Sequence, residues 1–441
     1  MMARNATGKR LLAVAALVLV LSGCSTIKGW FGGNKKDEKP TEPAELVEFT
    51  PSVEVAKVWS ANVGKGEDRL GLQQAPVVAD GRVYAAAVEG GVRALDLQTG
   101  KEVWHFKPEK TRAGDAAQPD QVAEEPAQGE EETKAAKRAR KEAAKLAKKA
   151  AKRKIEWRFS GGPGAGDGLV VIGTLDGRVI ALDASNGTEK WRAKVPNEVI
   201  TAPAIGQGYV LVRTNDGRVS AFDAASGERR WFWTSELPSL TVRGNAPVTL
   251  GPGVVFVGND DGTVAALSLR DGRQVWSQTV GSPDGRSELD RMADVDGPPV
   301  LDGTTLFATS YKKETVAIEG PSGRPLWQRD NGGPGGLGVT SSHVVVADQG
   351  GTVWGLDRYS GNATWSNPKM LRRSLTAPSI HGDFAVVGDF DGYVHWLKLD
   401  NGEEAARARA GGKAIRAKPV VADGILLIQN VEGELTAFRF K

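Results

Sequence analysis

The sequence predicts an all-β fold, an eight-bladed β-propeller with four antiparallel strands in each blade. Three observations predict it. A segment of about sixteen residues recurs along the chain, each copy is punctuated by glycine turns at fixed places, and the first and last copies are incomplete in complementary ways.

The full copies are "DGRVIALDASNGTEKW" (176–191), "DGRVSAFDAASGERRW" (216–231), "DGTVAALSLRDGRQVW" (261–276) and "GGTVWGLDRYSGNATW" (350–365), with a weaker one, "GGVRALDLQTGKEVW", at 90–104. Copies without the tryptophan are "DGYVHWLKLDNGEEAA" (391–406) and "EGELTAFRF" at the C-terminus. The opening Asp-Gly or Gly-Gly pair tolerates positive φ and suits a two-residue hairpin turn. An alternating strand follows, then a second turn glycine (Gly187, Gly227, Gly272, Gly361) and a strand bearing the tryptophan. An apolar run such as "LVVIG", "YVLVR", "VVFVG" or "FAVVG" precedes each turn, often after an Ala-Pro strand start. Four short antiparallel strands in about 40 residues are the pattern of a propeller blade.

Turn units near Gly91, Gly177, Gly217, Gly262, Lys313, Gly351, Gly392 and Gly433 number eight. The last copy stops at Lys441 without a fourth strand, while an orphan strand, "VEVAKVWSANV" with Trp59, precedes the first copy. Pairing the two closes the ring and removes its exposed edges. Trp59, Trp104, Trp191, Trp231, Trp276, Trp327 and Trp365 are seven of the chain's twelve tryptophans, and their period assigns them to packing between blades.

Upstream of the repeat, Arg4, Lys9 and Arg10 precede an apolar run from Leu11 to Leu21, too short to span a bilayer and matched to a secretory signal over 1–23. Leu21-Ser22-Gly23-Cys24 resembles the bacterial lipoprotein box, which makes Cys24, the only cysteine in 441 residues, a lipidation site. Ser25 after it favours the periplasmic face of the outer membrane. Residues 24–52 are polar, with prolines and mixed charge, and read as a lipidated tether. The propeller then occupies 53–441.

The informative residues are those that disturb the period. From tryptophan to the next turn glycine the chain takes 26 residues (191 to 217), 24 (327 to 351) or 27 (365 to 392). It takes 31 from Trp231 to Gly262, 37 from Trp276 to Lys313 and 73 from Trp104 to Gly177. The extra length falls where the outer strand of one blade connects to the inner strand of the next, so all of it leaves the ring on one face. "ELPSLTVRGNAPV" (236–248) offers Leu237, Leu240 and Val242 beside Arg243, and "SELDRMADVDGPPV" (287–300) offers Asp290, Arg291, Asp294 and Asp296. A small apolar patch bordered by both signs of charge suits a protein partner. The plainer alternative is a pair of long loops tied by an internal Arg–Asp contact.

Together the lipoprotein box, the eight-blade repeat, "PSLTVRGNAPV", "ELDRMADVDGPPV" and "VVGDFDGYVHW" resemble the outer-membrane protein assembly factor B (BamB) family, over the mature chain except about 108–155. The resemblance implies a non-enzymatic scaffold of the β-barrel assembly machine, a monomer within a hetero-complex, anchored by lipid at the outer membrane. Its expected partner is the central barrel subunit, bound through that subunit's periplasmic domains, with contact to nascent outer-membrane proteins besides. The family's contact motif falls on Leu240, Val242, Arg243, Asp294 and Asp296, Val242 standing where leucine is usual. Leu237, Asp290 and Arg291 flank that set as further candidates.

The segment 108–155 departs from the family pattern, turning from acidic and proline-containing to "KAAKRARKEAAKLAKKAAKRK", a local charge of +10 over 134–154. Leu146 is the only large apolar residue of 134–154, so the insertion reads as solvated and partly helical, with attraction to anionic envelope polymers or lipid as the sharper alternative. The chain's formal charge is +3, and removing the signal's +3 leaves the mature chain near 0; without the +10 segment the remainder is near −10, so a basic partner surface is expected and nucleic acid is not.

The rival class is a quinone-dependent dehydrogenase, whose propellers carry a similar "ALDxxTGxxxW" repeat. A single cysteine excludes a disulfide within the chain and a CxxCH haem site, and His105, His343, His381 and His395 form no ligand spacing. No GxSxG, Walker loop or HExxH occurs. "DVDG" (294–297) and "DFDG" (389–392) lack the later ligands of a calcium loop and read as turns. Neither cofactor nor metal is expected.

Overall fold

A computed structural model describes residues 42–66, 70–108, 145, 157–238, 240, 246–284, 286–287 and 292–441. The expected signal, Cys24, most of the tether and nearly all of the 108–155 insertion lie outside these residues.

Eight four-stranded antiparallel sheets form, as the period requires. Seven use consecutive strands: blades 1 to 7 occupy 77–106, 159–194, 204–234, 249–279, 300–329, 337–367 and 379–409. Blade 8 takes Val420–Ala422, Ile425–Gln429 and Glu434–Phe440 from the C-terminus, and its outer strand is Val55–Asn62. Val55 lies opposite Phe440 and Asn62 opposite Glu434, so the orphan strand closes the ring. The first strand of each blade is innermost and touches its counterparts in neighbouring blades, as Ala204–Gly206 touches Thr249–Gly251. The second and third strands are buried almost throughout, while outer strands such as Glu189–Lys194 are half-exposed.

The core lies between blades rather than within one sheet. Val171, Val179 and Trp191 of blade 2 pack with Val210, Val212 and Phe222 of blade 3, and the other seams repeat the arrangement. All seven periodic tryptophans serve it, each donating its indole N–H to a carbonyl in the next blade: Trp191 Nε1 to Ala224 O at 2.8 Å, Trp231 Nε1 to Leu269 O at 2.8 Å. The second turn glycine explains itself here. Gly227 sits at φ +74 over the Trp191 ring, and a Cβ there would fall 2.6 Å from Cδ2.

Ala406 takes the tryptophan's register place in blade 7, opposite Trp396. Blade 8 has no hairpin between its third and outer strands, because the outer strand comes from the other end of the chain, so a tryptophan there would lack its glycine. Trp396, fully buried, meets Phe438 edge-on at 5.8 Å, and His381 stacks on Phe440 at 4.2 Å.

In an alternating sheet the second and outer strands run the same way. The turn after the second strand and the connection after the outer strand therefore share one face, called here the loop face. The pairing of Val280 N with Gly262 O at 2.9 Å, and of Ala410 N with Gly392 O at 2.9 Å, reflects this. The opposite face carries the short hairpins.

One expectation is corrected. Residues 44–53, expected mostly within the tether, run from the connection between blades 6 and 7 to the outer strand of blade 7. Ala44 N donates to Leu371 O at 2.9 Å, Arg407 Nη1 to Val47 O at 3.2 Å, and Ser52 N donates to Ala405 O at 2.9 Å, with Arg407 over the Phe49 ring. The composition of this stretch is polar, but its backbone finds partners on an otherwise open strand edge.

Candidate partner-binding site

Two of the three long connections that break the period flank blade 4 on the loop face. The first, 235–248, joins the outer strand of blade 3, Arg229–Thr234, to the inner strand of blade 4, Thr249–Gly251. The second, 280–299, joins Gln274–Thr279 to Val300–Asp302 of blade 5. Leu237 and Leu240 are 46% and 40% exposed, with Leu237 set against the turn glycine Gly217 of its own blade. Phe232, 53% exposed beneath the guanidinium of Arg218, adds apolar surface on the adjoining strand that sequence reasoning passed over; its alternation with Trp231 was the available signal. Val242, Arg243, Asp290 and Arg291 lie outside the described residues.

Below this surface is a buried ionic knot. Arg213 ends the second strand of blade 3, Tyr209–Arg213, and is 2% exposed. Its Nη2 meets Asp260 Oδ1 on the blade 4 turn at 3.1 Å, and its Nη1 donates to Ala246 O of the first connection at 3.2 Å. Asp294 and Asp296 of the second connection act electrostatically on the same guanidinium. Backbone bonds hold that connection too, from Val295 N to Asn259 O at 3.0 Å and from Tyr311 N to Asp294 O at 2.7 Å.

This alters the reading of Asp294, grouped by sequence with the partner-contacting residues. It is fully buried, because its carboxylate belongs to the knot rather than to the surface. Asp296 keeps partial exposure as a residue, but its Oδ1 is covered. One cation faces three carboxylates in a site of low polarity, so the three cannot all ionise cheaply. Burial, then the neighbouring Asp294 and Asp260, push Asp296 up to about 8. Burial also pushes Asp260 up, to about 6, against the opposing pull of Arg213. The guanidinium pulls Asp260 down while the neighbouring carboxylates push Asp296 up, so Asp296 is the weaker acid of the two.

A second knot lies under blade 7. Arg373 Nε reaches Asp389 Oδ2 at 2.7 Å and its Nη2 reaches Asp391 at 2.8 Å, while buried His395 bridges Asp389 and Glu404 at 3.2 and 2.7 Å. Asp389 of the "DFDG" string is thus engaged by protein groups. Among the described residues no three His, Cys, Asp or Glu side chains are grouped to hold a metal ion. A cavity of about 330 Å³ lined by Phe307, Trp327, Arg358 and Tyr359 opens at the seam of blades 5 and 6 on the hairpin face, away from the long connections.

Comparison with known proteins bears on the family and the fold. The family model described as outer membrane protein assembly factor BamB matches residues 125–367 and 337–441. The chain belongs to the BamB family. A BamB from Xanthomonas campestris pv. campestris is 59% identical over 432 residues, covering 98% of this chain and 97% of its own, and the Escherichia coli K12 BamB is 33% identical over 427 residues, covering 96% and 97%. The crystal structure of BamB from Moraxella catarrhalis superposes with a TM-score of 0.70 at 24% identity, covering 88% of this chain and all of that one. A model for the β-propeller domain of glucose, ethanol and alcohol dehydrogenases matches residues 50–145. The quinohemoprotein alcohol dehydrogenase from Comamonas testosteroni has a TM-score of 0.59 at 16% identity, covering 87% of this chain and 76% of that one, a likeness of fold.

Proposed function

We propose that this chain is a non-enzymatic scaffold of the outer-membrane β-barrel assembly machine, held at the periplasmic face of the outer membrane by lipid on Cys24. It binds the periplasmic domains of the central barrel subunit through the loop face of blades 3 to 5. What carries the reading is the pair Leu237 and Leu240, left exposed on a connection whose far end a buried ionic knot ties at Ala246. Exposed leucines bury apolar area on docking, and an anchored chain loses less entropy in doing so. Leu240, Val242 and Arg243 make the contact with Leu237 at its border, Asp290 and Arg291 edge it, and Asp294 and Asp296 act from beneath. The scaffold positions the subunit's domains, and nascent barrel proteins pass alongside.

The test is capture of the purified periplasmic domains by the full chain and by Leu240→Asp. Replacing a centrally placed apolar anchor with a charge weakens binding by about 30-fold or more. Unchanged capture, with wild-type binding intact, removes the loop face from the interface. Mass analysis of the mature N-terminal peptide checks Cys24 separately: an unmodified cysteine ends the anchoring claim.

A further inference from the structure

Where the second strand of each blade ends, the equivalent residues are Ala86, Gly173, Arg213, Gly258, Thr309, Ala347, Gly388 and Gln429. At three of the glycines the outgoing connection packs down on the strand with an apolar plug. A Cβ at Gly173, Gly258 or Gly388 would lie within 3 Å of Val199, Val295 or Ile415 respectively. The fold therefore closes with small or neutral residues at this place in seven blades. Only blade 3 puts a charge there, and it does so under the connection that carries Leu237 and Leu240.

We infer that Arg213 is the positioning residue of the partner-binding surface: buried beneath both long connections, it fixes their relative place and so presents Leu237 and Leu240 to the partner. The inference rests on the partner reading above. The geometry gives Arg213 one bond to the first connection and one to the blade 4 turn on which the second connection rests. Nη1 holds the first connection at Ala246 O, and Nη2 holds the blade 4 turn at Asp260, whose neighbour Asn259 accepts from Val295 N of the second connection. An apolar plug would hold one connection by shape alone. A guanidinium, with donors forking in a plane, holds two in a set orientation. Asp260 from blade 4, with Asp294 and Asp296 from the second connection, supplies the countercharge, and Asp261 adds to the field at Asp260.

A merely structural role and a positioning role separate in a pair of variants. Arg213→Met strips three aspartates of their cation and destabilises the chain, so by itself it decides little. Arg213→Met/Asp260→Asn removes both partners of the buried pair, which restores part of the stability when the replacements pack, although Asp294 stays buried without the cation, and it leaves Ala246 O untethered. The full chain, Arg213→Met, this double variant and Arg213→Lys are compared for thermal midpoint, affinity for the central subunit's periplasmic domains, and amide exchange over 246–251. The expected result is a midpoint in the double variant clearly above that of Arg213→Met, with affinity still down about 10-fold and exchange over 246–251 up by about as much. Arg213→Lys, which keeps the charge and loses the fork, falls between. Recovery of affinity together with stability overturns the inference, and so does unchanged exchange at 246–251. Should the wild-type chain fail to bind those domains, the partner reading falls, and the exchange measurement alone then decides whether Arg213 holds the connections.

Discussion

The indole Nε1 of Trp59 donates to the carbonyl of Leu97 at 2.9 Å, which fastens the ring-closing strand of blade 8 to blade 1. The same bond recurs at six other seams, but only here does it hold a strand contributed by the far end of the chain. Trp59→Phe leaves a buried carbonyl without its donor and costs about 1–3 kcal/mol; Trp59→Ala adds a cavity and costs about 3–5 kcal/mol. Chemical denaturation measures both. Amide exchange should rise over 55–62 and 434–440 before it rises elsewhere, and uniform exchange across the ring would contradict the assignment.

Gly227 and Gly208 have nearly equal backbone angles, φ +74 and +79, but different surroundings. A Cβ on Gly208 meets nothing within 4 Å, whereas one on Gly227 strikes the Trp191 ring. Gly208→Ala should cost the left-handed backbone penalty alone, about 1–2 kcal/mol. Gly227→Ala should cost clearly more and shift the tryptophan fluorescence. Equal costs would show that the ring gives way freely.

Asp296 has a folded pKa near 8, well above the value of about 3.9 for an unfolded aspartate. The folded state holds this proton more tightly, so the stabilising effect is complete below about pH 4 and is lost as pH climbs towards 8. Asp296→Asn should therefore be more stable than the parent at both pH 5 and pH 8.5, and by much more at pH 8.5. Thermal midpoints at the two pH values check this, and a gain no larger at pH 8.5 than at pH 5 would refute the raised pKa.

Arg373 and Asp389 are almost completely buried, so Arg373→Met leaves a carboxylate without its cation, at about 3–5 kcal/mol. Arg373 Nη1 also donates to Ala44 O at 3.1 Å, so protease cleavage within 44–53 should appear in the variant. The network has a pH window. Burial disfavours the charged form of His395, but its bonds to Asp389 and Glu404 outweigh this and hold its pKa above the ordinary value, so its contribution fades as pH rises through the folded value. Burial likewise opposes ionisation of Asp389 and Glu404, yet the His395 contact keeps both below the ordinary carboxylate range, and their contribution fades in acid. His395→Gln should flatten the alkaline limb of the stability profile.

The repeat made the ring legible because turn glycines, strand alternation and one tryptophan per blade are local signals. Complementary gaps at the two ends disclosed the closure. The exposed Leu237 and Leu240 were legible from the broken period. The burial of Asp294 was not, since "DVDG" looks like any polar turn until Arg213, 81 positions earlier, is brought beneath it. Arg213 itself sits in "YVLVR", where it resembles an ordinary strand end. The docking of 44–53 was hidden for another reason: backbone bonds to a neighbouring edge leave no mark on composition.

The last blade takes its outer strand from the beginning of the chain and three strands from its end. Ribosomal synthesis supplies the first of these long before the others. Until Glu434–Phe440 is in place, Val55–Asn62 has no ladder to join. Sealing the circle therefore waits on a contact between segments almost four hundred positions apart, the kind of pairing that costs most loop-closure entropy before any contact offsets it.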